Sequence, residues 1–179
     1  MLRPLKMIGL MLVVFLLPSL IFADSTTNRT KALNMLYAAY EKYYMGNEEE
    51  GRKGVEAALR IDPNLACGNI VRGEIGMKDQ DWPTAQKYYE KGLKLLKQPN
   101  QPLSPDPKMN VTAKEVEGDT RCFLGYVYIK QAQRANRYGN EKDEQKFLEL
   151  ADKSLRAGLK LSPGKEAREL AEGLLKKFQ

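Results

Sequence analysis

From residue 24 to the C-terminus, apolar residues return every three or four positions, and no Val/Ile/Thr-rich stretch alternates with polar residues as a strand would. The pattern predicts amphipathic helices along nearly the whole chain. It also repeats. Setting residues 32–65 against 66–99 without gaps places Ala39 opposite Gly73, Asn47 opposite Asp81 and Gly51 opposite Ala85. Val55 then falls opposite Tyr89, Ala58 opposite Gly92, Leu59 opposite Leu93 and Ile61 opposite Leu95. Small residues meet small ones, and large apolar residues meet large ones. Two helical hairpins of equal length, closely packed at their small residues, account for this.

Several segments share one phase. Ala58-Leu59-Arg60-Ile61-Asp62-Pro63-Asn64 resembles the A-L-x-L-D-P-N ending of a tetratricopeptide repeat. Gly46-Asn47, and Asp81-Trp82 followed by Ala85, resemble the turn of that repeat. Leu124-Gly125 with Tyr128 resembles its first helix. Ala151, Leu155, Gly158, Leu159, Leu161 and Pro163 resemble its second helix and closing proline. The resemblance covers most of residues 30–163. It implies an all-α fold: a right-handed solenoid of about three helical hairpins, at about 32–65, 66–99 and 118–163, plus a C-terminal capping helix at 164–178.

The departures from the pattern are informative. The first helix of the first repeat has Ala38-Ala39 where the family has Leu-Gly, the second has Arg72-Gly73, and the second repeat lacks the closing proline. Gly125 follows Gly73 by 52 positions, 18 more than the period, and Ala151 follows Ala85 by 66, a further 14. Fourteen residues make about four helical turns. Each helix of the third hairpin is therefore expected to be about two turns longer, so that its tip projects. Asn47 with Glu48, Glu49 and Glu50, and Asp81 with Pro83, are helix-start signals. Gly139-Asn140 marks the projecting tip. Ser162-Pro163 is expected to open a last helix to about Phe178, whose Ala167, Leu170, Ala171, Leu174 and Leu175 form the apolar stripe that a solenoid end needs covered. Pro99, Pro102, Pro105 and Pro107 exclude continuous helix from residues 98–112. That segment is either a solvated connection or a flap over one face.

The N-terminus breaks the pattern. Arg3 and Lys6 precede an almost uninterrupted apolar run from Ile8 to Phe22, and Ala23 follows. This is the layout of a secretory signal peptide occupying residues 1–23. The alternative is an uncleaved anchor through residues 7–22, although the run is short of the roughly 20 residues a spanning helix needs. Either reading places the remaining 24–179 outside the cytoplasm, with a bacterial periplasm the expected location. The net charge is +6, two units of it on Arg3 and Lys6, and the remaining Lys and Arg are interspersed with Asp and Glu. No basic block of the nucleic-acid-binding type results.

Candidate chemistry is sparse. The chain has no histidine, which removes histidine-based nucleophilic catalysis and histidine metal sites. It has no glycine-rich phosphate loop, and its two cysteines cannot make a thiolate metal site alone. We therefore expect no enzyme, no cofactor and no metal. The resemblance instead implies a binding face on the first helices of the hairpins. Carried over position by position, it comprises Leu33, Leu36, Tyr40 and Tyr43; Cys67, Ile70, Glu74, Met77 and Lys78; and Cys122, Tyr126, Ile129 and Lys130. This face is aromatic and aliphatic, suited to an apolar helix or extended segment of another envelope protein. The implied function is a scaffold or assembly adaptor. The alternatives are a groove filled by the last helix or the proline-rich loop, and a small apolar ligand or lipid held under that loop. Tyr37, Tyr44, Trp82, Tyr89 and Tyr128 are expected in hairpin packing. Cys67 and Cys122 fall on one face of neighbouring first helices, open to a disulfide or to two free thiols. Lys130, Arg134 and Arg137, with Glu141, Asp143 and Glu144 across the tip, make either a surface ion-pair lattice or a docking arm.

Overall fold

In a computed structural model that describes residues 27–177, the apolar periodicity resolves into α-helices, and no strand occurs among the described residues. They are α1 (27–44), α2 (Glu48–Ile61), α3 (Ala66–Lys78), α4 (Trp82–Leu96), α5 (Ala113–Arg137), α6 (Glu141–Leu159) and α7 (Lys165–Leu175). The expected signal segment lies outside the described residues. Among the described residues no helix is long and apolar enough to cross a membrane.

The helices pair as antiparallel hairpins, α1 with α2, α3 with α4 and α5 with α6, and small residues set the approach. A Cβ on Gly73 would lie 2.7 Å from the Tyr89 ring, and one on Gly125 would lie 2.6 Å from Leu155. A Cβ on Gly92 would meet Ile70 at 2.7 Å, and one on Gly158 would meet Cys122 at 2.6 Å. These two pairs of contacts occupy equivalent positions in the second and third hairpins. In the first hairpin a Cβ on Gly54 would lie 2.6 Å from that of Ala39, a close approach one position out of register with Tyr89. The internal similarity is thus a similarity of packing.

The α5–α6 pair is longer than the α3–α4 pair. Helix α5 runs to Arg137, twelve residues past Gly125, where α3 ends at Lys78, five past Gly73. Helix α6 starts at Glu141, ten residues before Ala151, where α4 starts at Trp82, three before Ala85. Each tip-side helix gains seven residues, about two turns. Gly139 closes the tip at φ 68°, and Asn140 accepts the Asp143 amide.

The helix starts divide. Asp81 accepts from the Thr84 amide at 3.2 Å, and Thr112 accepts from Glu115 at 3.1 Å. Asn47 makes no side-chain cap; the acidic first turn of α2 faces the helix dipole instead. The last helix departs from expectation. Ser162 takes φ 57°, Pro163 is buried, and the helix begins only at Lys165 and ends at Leu175. Its stripe is sound: Ala167 and Ala171 are buried, and Leu174 and Leu175 pack on the cluster shared by α3 to α6.

The core has two parts that meet at α3. Leu36, Tyr43, Val55, Leu65, Cys67 and Ile75 belong to a cluster of α1, α2 and α3. Ile70, Tyr89, Cys122, Val127, Tyr128 and Leu155 belong to a cluster spanning α3 to α7. Tyr89 and Tyr128 are buried as expected, whereas Tyr44 is 47% exposed. Its place at the last turn of α1 leaves no following helix to cover one side of the ring.

Candidate functional site

Helices α1, α3 and α5 meet at a cavity of about 150 Å³. Tyr40 comes from α1, Cys67, Ile70 and Glu74 from α3, and Val116, Asp119, Thr120 and Phe123 from α5. The proline-rich segment 98–112 closes it with Leu103, Ser104, Pro105, Met109 and Val111. The same five residues, turned towards α1, border a second cavity of about 410 Å³ beside Leu33 and Tyr37. The segment is therefore a strap across the face and not a solvated connection. It is tied at one end by Gln101, whose Oε1 accepts the backbone N–H of Ala66 at the start of α3, 3.1 Å away. That bond serves one of the free amides at a helix N-terminus. Inside the strap, Asp106 accepts the Lys108 amide at 2.8 Å and Ser104 Oγ accepts the Asp106 amide at 3.1 Å.

The thirteen residues expected on this face separate into three groups. Tyr40, Cys67, Ile70 and Glu74 line the smaller cavity, and Leu33 lines the larger one. Leu36, Tyr43, Cys122 and Ile129 are buried between helices and offer no open surface. The reason is geometric: positions three or four apart on one helix face both the groove and the neighbouring helix, and the partner helix of the same hairpin covers the inner ones, as Gly51 of α2 does Tyr43 and Gly158 of α6 does Cys122. Met77, Lys78, Tyr126 and Lys130 lie further along, towards the hairpin tips. There Tyr126 meets Trp82 edge-on at 6.0 Å with the Lys130 ammonium 5.1 Å from its ring. Lys78 sits over the rings of Tyr43 and Tyr44, at 4.9 and 4.3 Å.

Glu74 dominates the electrostatics. Its half-buried carboxylate accepts the Tyr44 hydroxyl at 3.2 Å and has no ion-pair partner among the described residues. Burial pushes its pKa up to about 7; the Tyr44 hydrogen bond and the charge of Lys78 oppose the rise, and Asp119 adds to it. Asp119 is also raised by burial, against a hydrogen bond from the Gly164 amide at 2.7 Å. The Tyr44 phenol is raised in turn, first by desolvation and then by the charge of Glu74. Both thiols are free and buried, so the open alternative of a disulfide resolves to two separate cysteines. Burial pushes Cys67 up to about 12 and Cys122 up to about 11, which leaves neither as a thiolate nucleophile at neutral pH.

Asp119, Thr120 and Phe123 escaped the sequence reading. One signal existed: the 52-residue offset that carries Glu74 onto Tyr126 also carries Cys67 onto Asp119. The strap residues had no such signal, because a loop has no period. Among the described residues no group of three or more acidic or cysteine side chains is placed to hold a metal ion. What the site offers is a half-covered, mainly apolar and aromatic recess lined by two carboxyls, Glu74 and Asp119, each held by one hydrogen-bond donor. Comparison with known protein families, with curated proteins and with solved structures gives no match.

Proposed function

We propose that the chain is an exported helical-repeat scaffold of the tetratricopeptide type, which holds a segment of another envelope protein on the face made by α1, α3 and α5. The equivalent glycine contacts of the second and third hairpins support the repeat reading. The charged-then-apolar layout of residues 1–23 supports export. One observation carries the binding reading. A non-helical, proline-bearing segment, that of the chain itself, already borders this recess together with Tyr40, Ile70 and Phe123. The mixed surface charge favours protein over nucleic acid as the partner.

The test is crosslinking in the native envelope fraction, comparing wild type with Tyr40→Glu and Phe123→Glu. Both side chains are half-buried, line the recess and also rest on the core clusters, so the comparison counts only for variants whose melting curves match wild type. A protein captured by wild type and lost from both variants, with melting curves unchanged, is the expected result. Equal capture by all three rules this face out as the docking surface. A second reading rests on the cavity of about 410 Å³ between α1 and the strap, which falls within the roughly 300–1,000 Å³ of small-ligand sites. A small apolar molecule extracted with the native protein, in place of a crosslinked partner, favours that reading.

A further inference from the structure

The strap covers the face that a partner needs, and the way it is held bears on what that partner is. None of residues 98–112 is buried. Residues 101–106 and Val111 are half-buried, and the rest are exposed, with Met109 at 52%. The floor beneath is different: Ile70 and Cys67 are buried, and Tyr40 and Phe123 stand half-buried on either side. The strap therefore contributes side chains to the site without being part of the core. The side-chain hydrogen bond that ties it to a helix is the one Gln101 accepts from the Ala66 amide, and its two ends are covalently joined to α4 and α5.

We infer that the strap is an internal stand-in for the partner: it occupies the α1–α3–α5 face reversibly, and the partner is a proline-bearing, apolar, non-helical segment of similar chemistry that displaces it. This rests on the docking reading above and adds the partner's class and a competition for the site. Prolines lower the entropy that a segment loses on docking, because their φ is already fixed, and aromatic-lined recesses are suited to such segments. The strap carries four prolines, and its Leu103 and Val111 line the same recess as Tyr40 and Phe123. Tethering gives it an effective concentration in the roughly millimolar range. A strap held by partial burial at that concentration excludes weak ligands and yields to a tighter one.

The probe is a synthetic peptide with the sequence of residues 98–112. In one variant of the full chain, residues 101–111 are replaced by a Gly/Ser linker of equal length. The peptide is expected to bind that variant, with NMR shifts at Tyr40, Ile70 and Phe123. It should bind the wild-type chain at least about tenfold more weakly, because the tethered strap competes. Adding Phe123→Glu to the linker variant should abolish binding. Leu103→Ser combined with Met109→Ser keeps the strap's length and loosens its grip. It carries the same expectation at smaller amplitude, and stands in if the linker variant loses its fold. Equal binding to the wild-type and loosened chains overturns the inference, as does no binding to either altered chain when folded. The docking reading fails separately. Peptide binding to the emptied face, with envelope crosslinks indifferent to Tyr40→Glu and Phe123→Glu, leaves the strap as an internal cover only and overturns the displacing partner. Crosslinks lost from those variants, with no peptide binding, leave the docking face and remove the stand-in.

Discussion

Burial holds a proton on Glu74 that the unfolded chain gives up earlier. With the folded pKa at about 7 against an ordinary 4.5, the proton is bound in the folded state and released in the unfolded one between those values. The stability this contributes is present in full below the ordinary value and is lost as pH rises through 7. Glu74→Gln keeps an acceptor for the Tyr44 hydroxyl and removes the titration. The variant should match wild type near pH 5 and exceed it by about 1 kcal/mol near pH 8, the figure being kept low because the group is only half-buried. Urea unfolding at the two pH values checks this, and parallel changes in the two proteins would contradict it. Glycine offers a second test at single residues. A Cβ on Gly158 would meet Cys122 Sγ at 2.6 Å and the Gly118 carbonyl at 2.8 Å, whereas a Cβ on Gly173 meets nothing within 4 Å. Gly158→Ala should cost about 2 kcal/mol by overpacking. Gly173→Ala, inside α7, should add about 0.5–1 kcal/mol by restricting the unfolded chain. The same substitution with opposite signs is read directly from two melting curves.

At the scale of elements, matching the third hairpin to the second, with offsets of 52 residues in the first helix and 66 in the second, places small residues at equivalent positions, and the contacts at Gly73 and Gly125 are the same pair in that match. The two extra turns on each helix of the third hairpin were legible as 14 surplus residues between matched positions. The end of the chain was less so. Ser162-Pro163 reads as a helix start, but a positive φ at Ser162 and the burial of Pro163 delay the helix to Lys165. The Gly164 amide then bonds to Asp119, a residue 45 positions away. No local rule anticipates such a bond. Helix α7 nevertheless covers the last hairpin through Ala167 and Ala171, both buried. Ala171→Asp places an unpaired carboxyl there and should cost about 3 kcal/mol. The folded variant should also bind a hydrophobic dye that wild type does not. An unchanged melting temperature would mean that α7 is not a cap.

For the molecule as a whole, packing is uneven. The α5–α6 and α3–α4 pairs are extensively packed, while α2 meets α3 along a thinner junction, backed by the packing of α1 on α3 and joined by part-buried pairs of Arg52 with Asp79 and Arg72 with Glu56. Ion pairs with one partner in solvent add about 1 kcal/mol each. In a chain whose hairpins touch mainly their neighbours, the end hairpin opens first. Amides of α1 and α2 should therefore exchange with solvent through an opening at least about 2 kcal/mol less costly than that of α5. Native-state hydrogen exchange measures this residue by residue. Equal protection of α2 and α5 would show one cooperative unit instead.

By itself the sequence determined the helical class and the non-helical proline segment, and its spacing carried the expectation of paired helices with a longer third pair and a mainly apolar α1–α3–α5 face. All of these are local or periodic, and side-chain spacing along a helix carries them. Only the tertiary structure decided where the proline segment goes. It also decided which of the thirteen face residues are core, that Cys67 and Cys122 stay apart, and that Glu74 and Asp119 share a recess. Each of these depends on contacts between residues distant in sequence. Burial, which shifts a carboxyl or turns a loop into a strap, exists only once those distant residues have met.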